Sequence, residues 1–290
     1  MEEALSIDNL RRHIHTISYQ IGERNLYKYL NLESTANYIR EEFLKLGYST
    51  KEQIFLWQNI TCRNIVAEKE GLNLKGKIII VGAHYDSVFG SPGADDNASG
   101  IAVLLELARL LFNIQLNKTV RFVAFTNEEP PFFMSKGMGS LNYTESLKKE
   151  KQDIEMMLCL ESVGYYTDEP CSQSYPFGLN FFYPHRGNFI AMVSNLKSKT
   201  YLKKVVDVFK NNSNLEVEFL AVPAGFVPEI SFSDNWSFWR YGYKALMLTD
   251  TAFYRYPYYH TDKDREENLD FKRMFELLKG LYYVMVDLAK

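Results

Sequence analysis

His84, Asp86, Asp95, Asp96, Glu128, Glu129, Glu161 and His260 are the residues of this 290-residue chain whose types and spacing can do chemistry. Taken singly, each has an ordinary explanation. HxD recurs by chance, Asp95-Asp96-Asn97 ahead of a helix reads as a cap, adjacent glutamates suit a solvated strand end, and a loop histidine needs no ligand. What they share is position. Short apolar runs of strand length precede them: 78–81 (IIIV) before His84, 119–126 (TVRFVAFT) before Glu128 and Glu129, 156–160 (MMLCL) before Glu161, and 245–248 (ALML) ahead of His260. In open α/β sheets, reactive groups collect beyond the carboxyl ends of strands. His84, Asp96, Glu129, Glu161 and His260 would then meet as two imidazoles and three carboxylates without a thiolate, a set suited to zinc in hydrolysis. Five ligands exceed the needs of one tetrahedral zinc with an open position. Two metals ~3.5–4 Å apart, sharing one carboxylate and one water, use them all. The charges of two divalent ions match those of three carboxylates and one hydroxide. Asp86, two residues from His84 on an extended chain, lies on the same side and can hold its imidazole.

The elements that must position these groups alternate between buried strands and amphipathic helices. Helical spacing marks 33–47, with Ser34 as a cap and Gly47 as the stop, and also 99–112, 198–210 and 271–289. Residues 64–67 read as a short strand, 71–76 as a turn, and 186–194 as a strand with no ligand type at its end. Gly90, Pro92 and Gly93 mark a loop that brings Asp96 to a helix N-terminus near His84. The long stretch 165–183, rich in Tyr, Phe and Pro, is expected to wall a pocket, and 226–241 to share in building it. This alternation predicts a single α/β domain over 1–290: a mostly parallel, mixed central sheet with helices on both faces and the ligands along one sheet edge.

Composition narrows the function. Hydrophobic residues make up 46% and charged residues 24%, which suits a globular chain with a sizeable core. Lys plus Arg number 33 against 36 Asp plus Glu, so no basic excess points to nucleic acid or an anionic membrane. The three cysteines, Cys62, Cys159 and Cys171, show no CxxC spacing and suggest neither a disulfide framework nor a zinc ribbon. The N-terminal segment lacks the apolar core of a signal peptide, and no run reaches the ~18 residues of a membrane span. A cytoplasmic location is expected, or a secreted one if a leader has been removed.

In order along the chain stand HYDS at 84–87, PGADDNASG at 92–100, NEE at 127–129, LESVG at 160–164 and YHTDKD at 259–264. This series resembles the successive motifs of the co-catalytic di-zinc aminopeptidases of metallopeptidase family twenty-eight, whose superfamily includes glutaminyl cyclases and glutamate carboxypeptidases. The resemblance implies a zinc-peptidase, phosphorylase/hydrolase-like fold, two zinc ions per chain and a peptide substrate with a free N-terminus. It also implies that Asp96, not Asp95, bridges the metals, with His84 and Glu161 on one and Glu129 and His260 on the other. Glu128 would be the general acid/base acting on a metal-bridging water. Tyr259 would contact the reaction intermediate, and the peptide bond after Asp96 would be cis. Several relatives carry Asp where this chain has Glu161; the longer side chain still coordinates but bears on the affinity and identity of that metal. Two rivals share the superfamily fold. A glutaminyl cyclase would use one zinc, against which His84 and the ADDN motif speak, and a non-catalytic binding domain would lack ligands that are all present here.

Overall fold

The computed structural model describes residues 3–290. Its frame is an eight-stranded sheet of β1 (Ser49–Trp57), β2 (Ile60–Lys69), β3 (Leu74–His84), β4 (Lys118–Phe125), β5 (Asp153–Glu161), β6 (Phe189–Ser194), β7 (Glu216–Ala221) and β8 (Ala245–Thr249), in the order β1-β2-β4-β3-β5-β8-β6-β7. The central four, β4-β3-β5-β8, are parallel. Their Ile, Val, Leu and Met runs are apolar on both faces, as strands covered on both sides must be. The antiparallel pairs lie outside them: β1 with β2, β2 with β4, and β6 with β8. Register sets the site. His84 pairs with Phe125 and Glu161 with Thr249, so the parallel strands end almost level and their next residues emerge side by side.

Five helices cover one face: α1 (Glu3–Ile14), α2 (Tyr29–Lys45), α3 (Gly100–Leu111), α5 (Lys199–Lys210) and α7 (Phe271–Leu288). Their stripes meet in one core containing Leu10, Ile39, Leu104, Phe209 and Leu278 with Val81 and Leu158 of the sheet. The opposite face is covered by α4 (Gly139–Lys149) and the short α6 (Asn235–Arg240), which bring Tyr143, Leu147 and Phe238 onto Ile80, Phe125 and Met157.

Several boundaries differ from expectation. The second helix starts at Tyr29, so Ser34 lies inside it, where its hydroxyl donates to the Leu30 carbonyl at 2.8 Å instead of capping. Gly47 does end that helix, at φ +93°. The strand expected at 64–67 extends over Ile60–Lys69 because β1 pairs along it through a tight turn, with Gln58 and Asn59 both at positive φ. The turn at 71–76 is cut short by β3, which begins at Leu74. The stretch 226–241, expected as loop, contains a 3-10 turn at Pro228–Ser231 and α6. Among the described residues no helix is long and apolar enough to cross a membrane.

Candidate metal centre

The sheet delivers its ligands by strand ends. His84 and Glu161 are the last residues of β3 and β5, Glu129 lies four residues beyond β4, and His260 follows β8 after an aromatic loop. Asp96 sits in the irregular segment Ala94–Ser99 that leads into α3, where Asp96 and Asn97 leave the helical backbone and the peptide between them is cis. Three non-glycine residues here have left-handed backbones, Asn127 (φ +54°), Ser162 (φ +46°) and His260 (φ +58°). Such conformations cluster where surrounding structure fixes a functional geometry, and each of these is a candidate ligand or lies within two residues of one.

The five predicted ligands converge as two sets sharing one residue. His84, Asp96 and Glu161 bring ligand atoms within 4.8 Å of one another, and so do Asp96, Glu129 and His260. His84 Nε2 lies 3.1 Å from Asp96 Oδ1 and 3.3 Å from Glu161 Oε2. His260 Nε2 lies 3.0 Å from Asp96 Oδ2 and 3.2 Å from Glu129 Oε2. Yet His84 Nε2, His260 Nε2 and Asp96 Oδ1 are buried and make no hydrogen bond, although these distances would permit one. Atoms that crowd together without aligning on each other aim at a common point instead. Buried orphans of this kind call for an explanation, and a cation between them supplies one. The donor set fits zinc. Asp95, though adjacent, belongs to neither set: its Oδ1 accepts the Gly164 amide at 2.7 Å, and burial beside Asp250 and Asp264 raises its carboxyl well above the usual range.

The electrostatics agree with a site built for positive charge. Burial works against a charged His84, but Glu161 and the contacts with Asp86 and Asp96 prevail and raise it well above its usual value. His260 is likewise raised, to about 10, by Asp96 and Glu129 against burial. Burial pushes Asp96 up, but its contacts with His260 and His84 outweigh this and hold it below the usual carboxylate range. Glu129 is pushed up to about 8, by burial and then by the charge of Asp96. Glu128 is buried beside the ligands without joining either set, and burial raises its carboxyl well above the ordinary range.

A further layer of residues holds the ligands. Asp86 accepts the amide of Glu128 on Oδ1 at 3.0 Å and that of Glu129 on Oδ2 at 3.1 Å. Its carboxylate stands 3.5 Å from His84 Nδ1, which is nearer to the Asp86 carbonyl, at 3.2 Å. The carboxylate expected to brace the imidazole thus mainly sets the turn carrying the two glutamates. Asp264 repeats the device, accepting the amides of Asp95 at 2.8 Å and Asp96 at 3.1 Å. Ser233 donates to Glu161 Oε2 at 2.6 Å. Arg24 is fully buried and donates to the carbonyls of Tyr85 (2.6 Å), Pro92 and Gly93 (2.8 Å), pinning the loop between His84 and Asp96. Sequence reasoning assigned no role to Arg24, Ser233 or Asp264; Asp264 alone stood inside a quoted motif.

Beside the metal centre opens a chamber whose wall includes Glu161 and Tyr259. The loop 165–183 contributes Gln173, Ser174, Tyr175, Pro176, Leu179 and Tyr183, as expected of a pocket wall, and 226–241 contributes Val227, Glu229, Ile230 and Phe232. The Tyr259 ring stacks on His260 with centroids 3.8 Å apart.

Comparison with known proteins bears on this arrangement. The sequence model of peptidase family M28 matches residues 64–285. Over 286 residues the chain is 37% identical to uncharacterized protein YfbL of Escherichia coli, covering 95% of this chain and 86% of that protein. A shorter match, 43% identical over 108 residues, joins 37% of this chain to 23% of aminopeptidase YwaD of Bacillus subtilis. Among solved structures, BSAP, a zinc aminopeptidase from Bacillus subtilis, superposes with a TM-score of 0.79 at 18% identity, covering all of this chain and 97% of that one. Fimbriiglobus ruber glutaminyl cyclase superposes with a TM-score of 0.70 at 17% identity, covering 98% of this chain and 95% of that one. The two likenesses establish a common fold and do not choose between the two activities.

Proposed function

The chain belongs to peptidase family M28, and from that premise we propose that it is an aminopeptidase, holding two zinc ions and removing the N-terminal residue of peptides. One observation carries the reading: two complete ligand sets share Asp96, and their imidazole Nε2 atoms converge on its carboxylate without hydrogen-bonding to it. His84, Asp96 and Glu161 would hold one ion, and Asp96, Glu129 and His260 the other. Bound there, zinc would acidify a shared water and polarise the scissile carbonyl.

The remaining chemistry belongs to the side chains. Glu128 takes the proton of the attacking water and passes it to the leaving amine, and its burial raises the carboxyl above the ordinary range, which favours holding that proton. Asp86 keeps Glu128 and Glu129 apart in role by fixing both backbones, so that one carboxylate binds metal while its neighbour stays free to move a proton. Tyr259, stacked on His260, is assigned contact with the substrate as the carbonyl is attacked.

The similarity to YwaD, named an aminopeptidase, supports the reaction class, and that to BSAP, named a zinc aminopeptidase, supports the metal. A one-zinc cyclase on the same fold is disfavoured because neither ligand set lacks a member. Metal analysis of zinc-saturated protein, together with a panel of aminoacyl chromogenic substrates, tests the proposal. About two zincs per chain with release of the chromophore are expected. One zinc with cyclisation of an N-terminal glutamine would identify a cyclase, and no zinc with no turnover a binding domain.

A further inference from the structure

The chamber beside the metal centre is apolar over most of its wall, with Phe189, Val193, Leu220, Val227 and Met247 among its residues. Its charged residues are of one sign only. Glu161 belongs to the metal set; Glu218 and Glu229 also line the chamber, and among the described lining residues there is no Lys, Arg or His. Burial raises the Glu218 carboxyl, against the pull of Lys210, as befits an acid facing a poorly solvated space. Glu229 is held more closely. It sits in the turn Pro228–Ser231, and its Oε1 accepts the Tyr254 hydroxyl at 2.9 Å. Tyr254 is itself fixed, since its carbonyl accepts the Ser174 amide at 2.8 Å. The other oxygen, Glu229 Oε2, is buried and has no hydrogen-bond partner.

Acids that line an apolar chamber with no cation among them favour a positively charged occupant. Such an occupant must also suit the apolar walls. We infer that the chamber receives the side chain of the substrate's N-terminal residue and selects an apolar stem ending in a cation, lysine or arginine, with Glu229 as the specificity-determining residue. The inference rests on the aminopeptidase reading above. The stem is buried against the aliphatic and aromatic walls, and the ammonium or guanidinium pairs with the Glu229 carboxylate in a charge-assisted hydrogen bond. Glu218 adds negative potential to the same space without a placed partner.

Norleucine has the four-carbon stem of lysine without the ammonium, so the pair isolates the charge. On zinc-loaded protein, kcat/KM for lysyl and arginyl p-nitroanilides should exceed that for the norleucyl derivative by about 10- to 100-fold, the range of a buried charge-assisted hydrogen bond. Glu229→Gln keeps an acceptor for the Tyr254 hydroxyl and should reduce the lysine-to-norleucine ratio by a similar factor. Because the ratio is read within one preparation, a general loss of folded enzyme does not imitate the effect. Norleucine equal or superior to lysine in the native enzyme, or an unchanged ratio in Glu229→Gln, would overturn the inference. Absence of turnover on every derivative would refute the aminopeptidase reading instead. Direct binding of lysinamide against norleucinamide would then decide the chamber's preference independently, tighter lysinamide binding supporting it and equal binding overturning it.

Discussion

Asp86 holds Glu129 by its backbone: Oδ2 of Asp86 accepts the Glu129 amide at 3.1 Å while Oδ1 takes that of Glu128 at 3.0 Å. Replacing Asp86 by Ala leaves two buried amides without acceptors, each at a cost of about 1–3 kcal/mol. Loosening the turn should also lower metal affinity about 10- to 100-fold, as loss of a residue that orients ligands does. Thermal unfolding and zinc titration of Asp86→Ala test both effects. Native zinc binding and turnover in that variant would remove Asp86 from the supporting role given to it.

Glu128 and Glu129 are chemically identical neighbours that the geometry separates, since Glu129 Oε2 lies 3.2 Å from His260 Nε2 and Glu128 joins neither ligand set. Glu128→Gln should keep both metals and the substrate affinity while losing on the order of 10²–10⁴-fold in turnover. Glu129→Gln should instead release one metal selectively, with part of the activity returning in excess zinc. Metal loss in Glu128→Gln alongside full occupancy in Glu129→Gln would exchange the two roles.

Gly280 tests the packing of α7 against α5. A Cβ at this position would come within 2.3 Å of the buried Phe209 ring, so Gly280→Ala forces the two helices apart. A loss of about 1–3 kcal/mol is expected, typical of overpacking, and outweighs the gain in helix propensity of roughly 1 kcal/mol. Urea unfolding measures it; a stabilised variant would show that α7 can slide.

His13 should make stability depend on pH. Burial, and then the charge of Arg12, lower its pKa from 6.5 to about 3 against the opposing pull of Glu42. Between those values the unfolded chain binds a proton that the folded chain refuses, so the contribution is intact above about pH 6.5 and is lost as pH falls. The slope approaches about 1.4 kcal/mol per pH unit for one group. Comparing urea unfolding of the native protein and His13→Gln across pH 4–7 isolates this part. Parallel curves for the two proteins would contradict the assignment.

The central strands were legible because a buried parallel strand must be apolar on both faces, which leaves runs such as Ile78–Val81 and Met156–Leu160 conspicuous in the sequence. The metal residues were legible because they follow those runs. Edge elements left weaker marks. β1 has no fully buried position, and β7 is only partly covered, so neither shows a clear apolar pattern. α4 (GSLNYTESLKK) dilutes its apolar face with Ser, Thr and Asn, and α6 spans six residues, too few to show a period. The supporting residues were hidden for another reason. Asp264 works on amides 168 and 169 residues away, and Ser233 on a carboxylate 72 residues away, through contacts that no local spacing encodes.

Arg24 has a practical consequence for anyone dividing this protein into parts. The stretch that matches the family runs from 64 to 285, and every candidate metal ligand falls inside it. The guanidinium that clamps the loop between His84 and Asp96 does not, and neither do α1, α2 and β1. A fragment cut at the boundary of the family match would keep every candidate ligand and lose the fastening beneath them. A unit meant to keep that fastening therefore begins no later than Arg24, some forty residues ahead of where the family match starts.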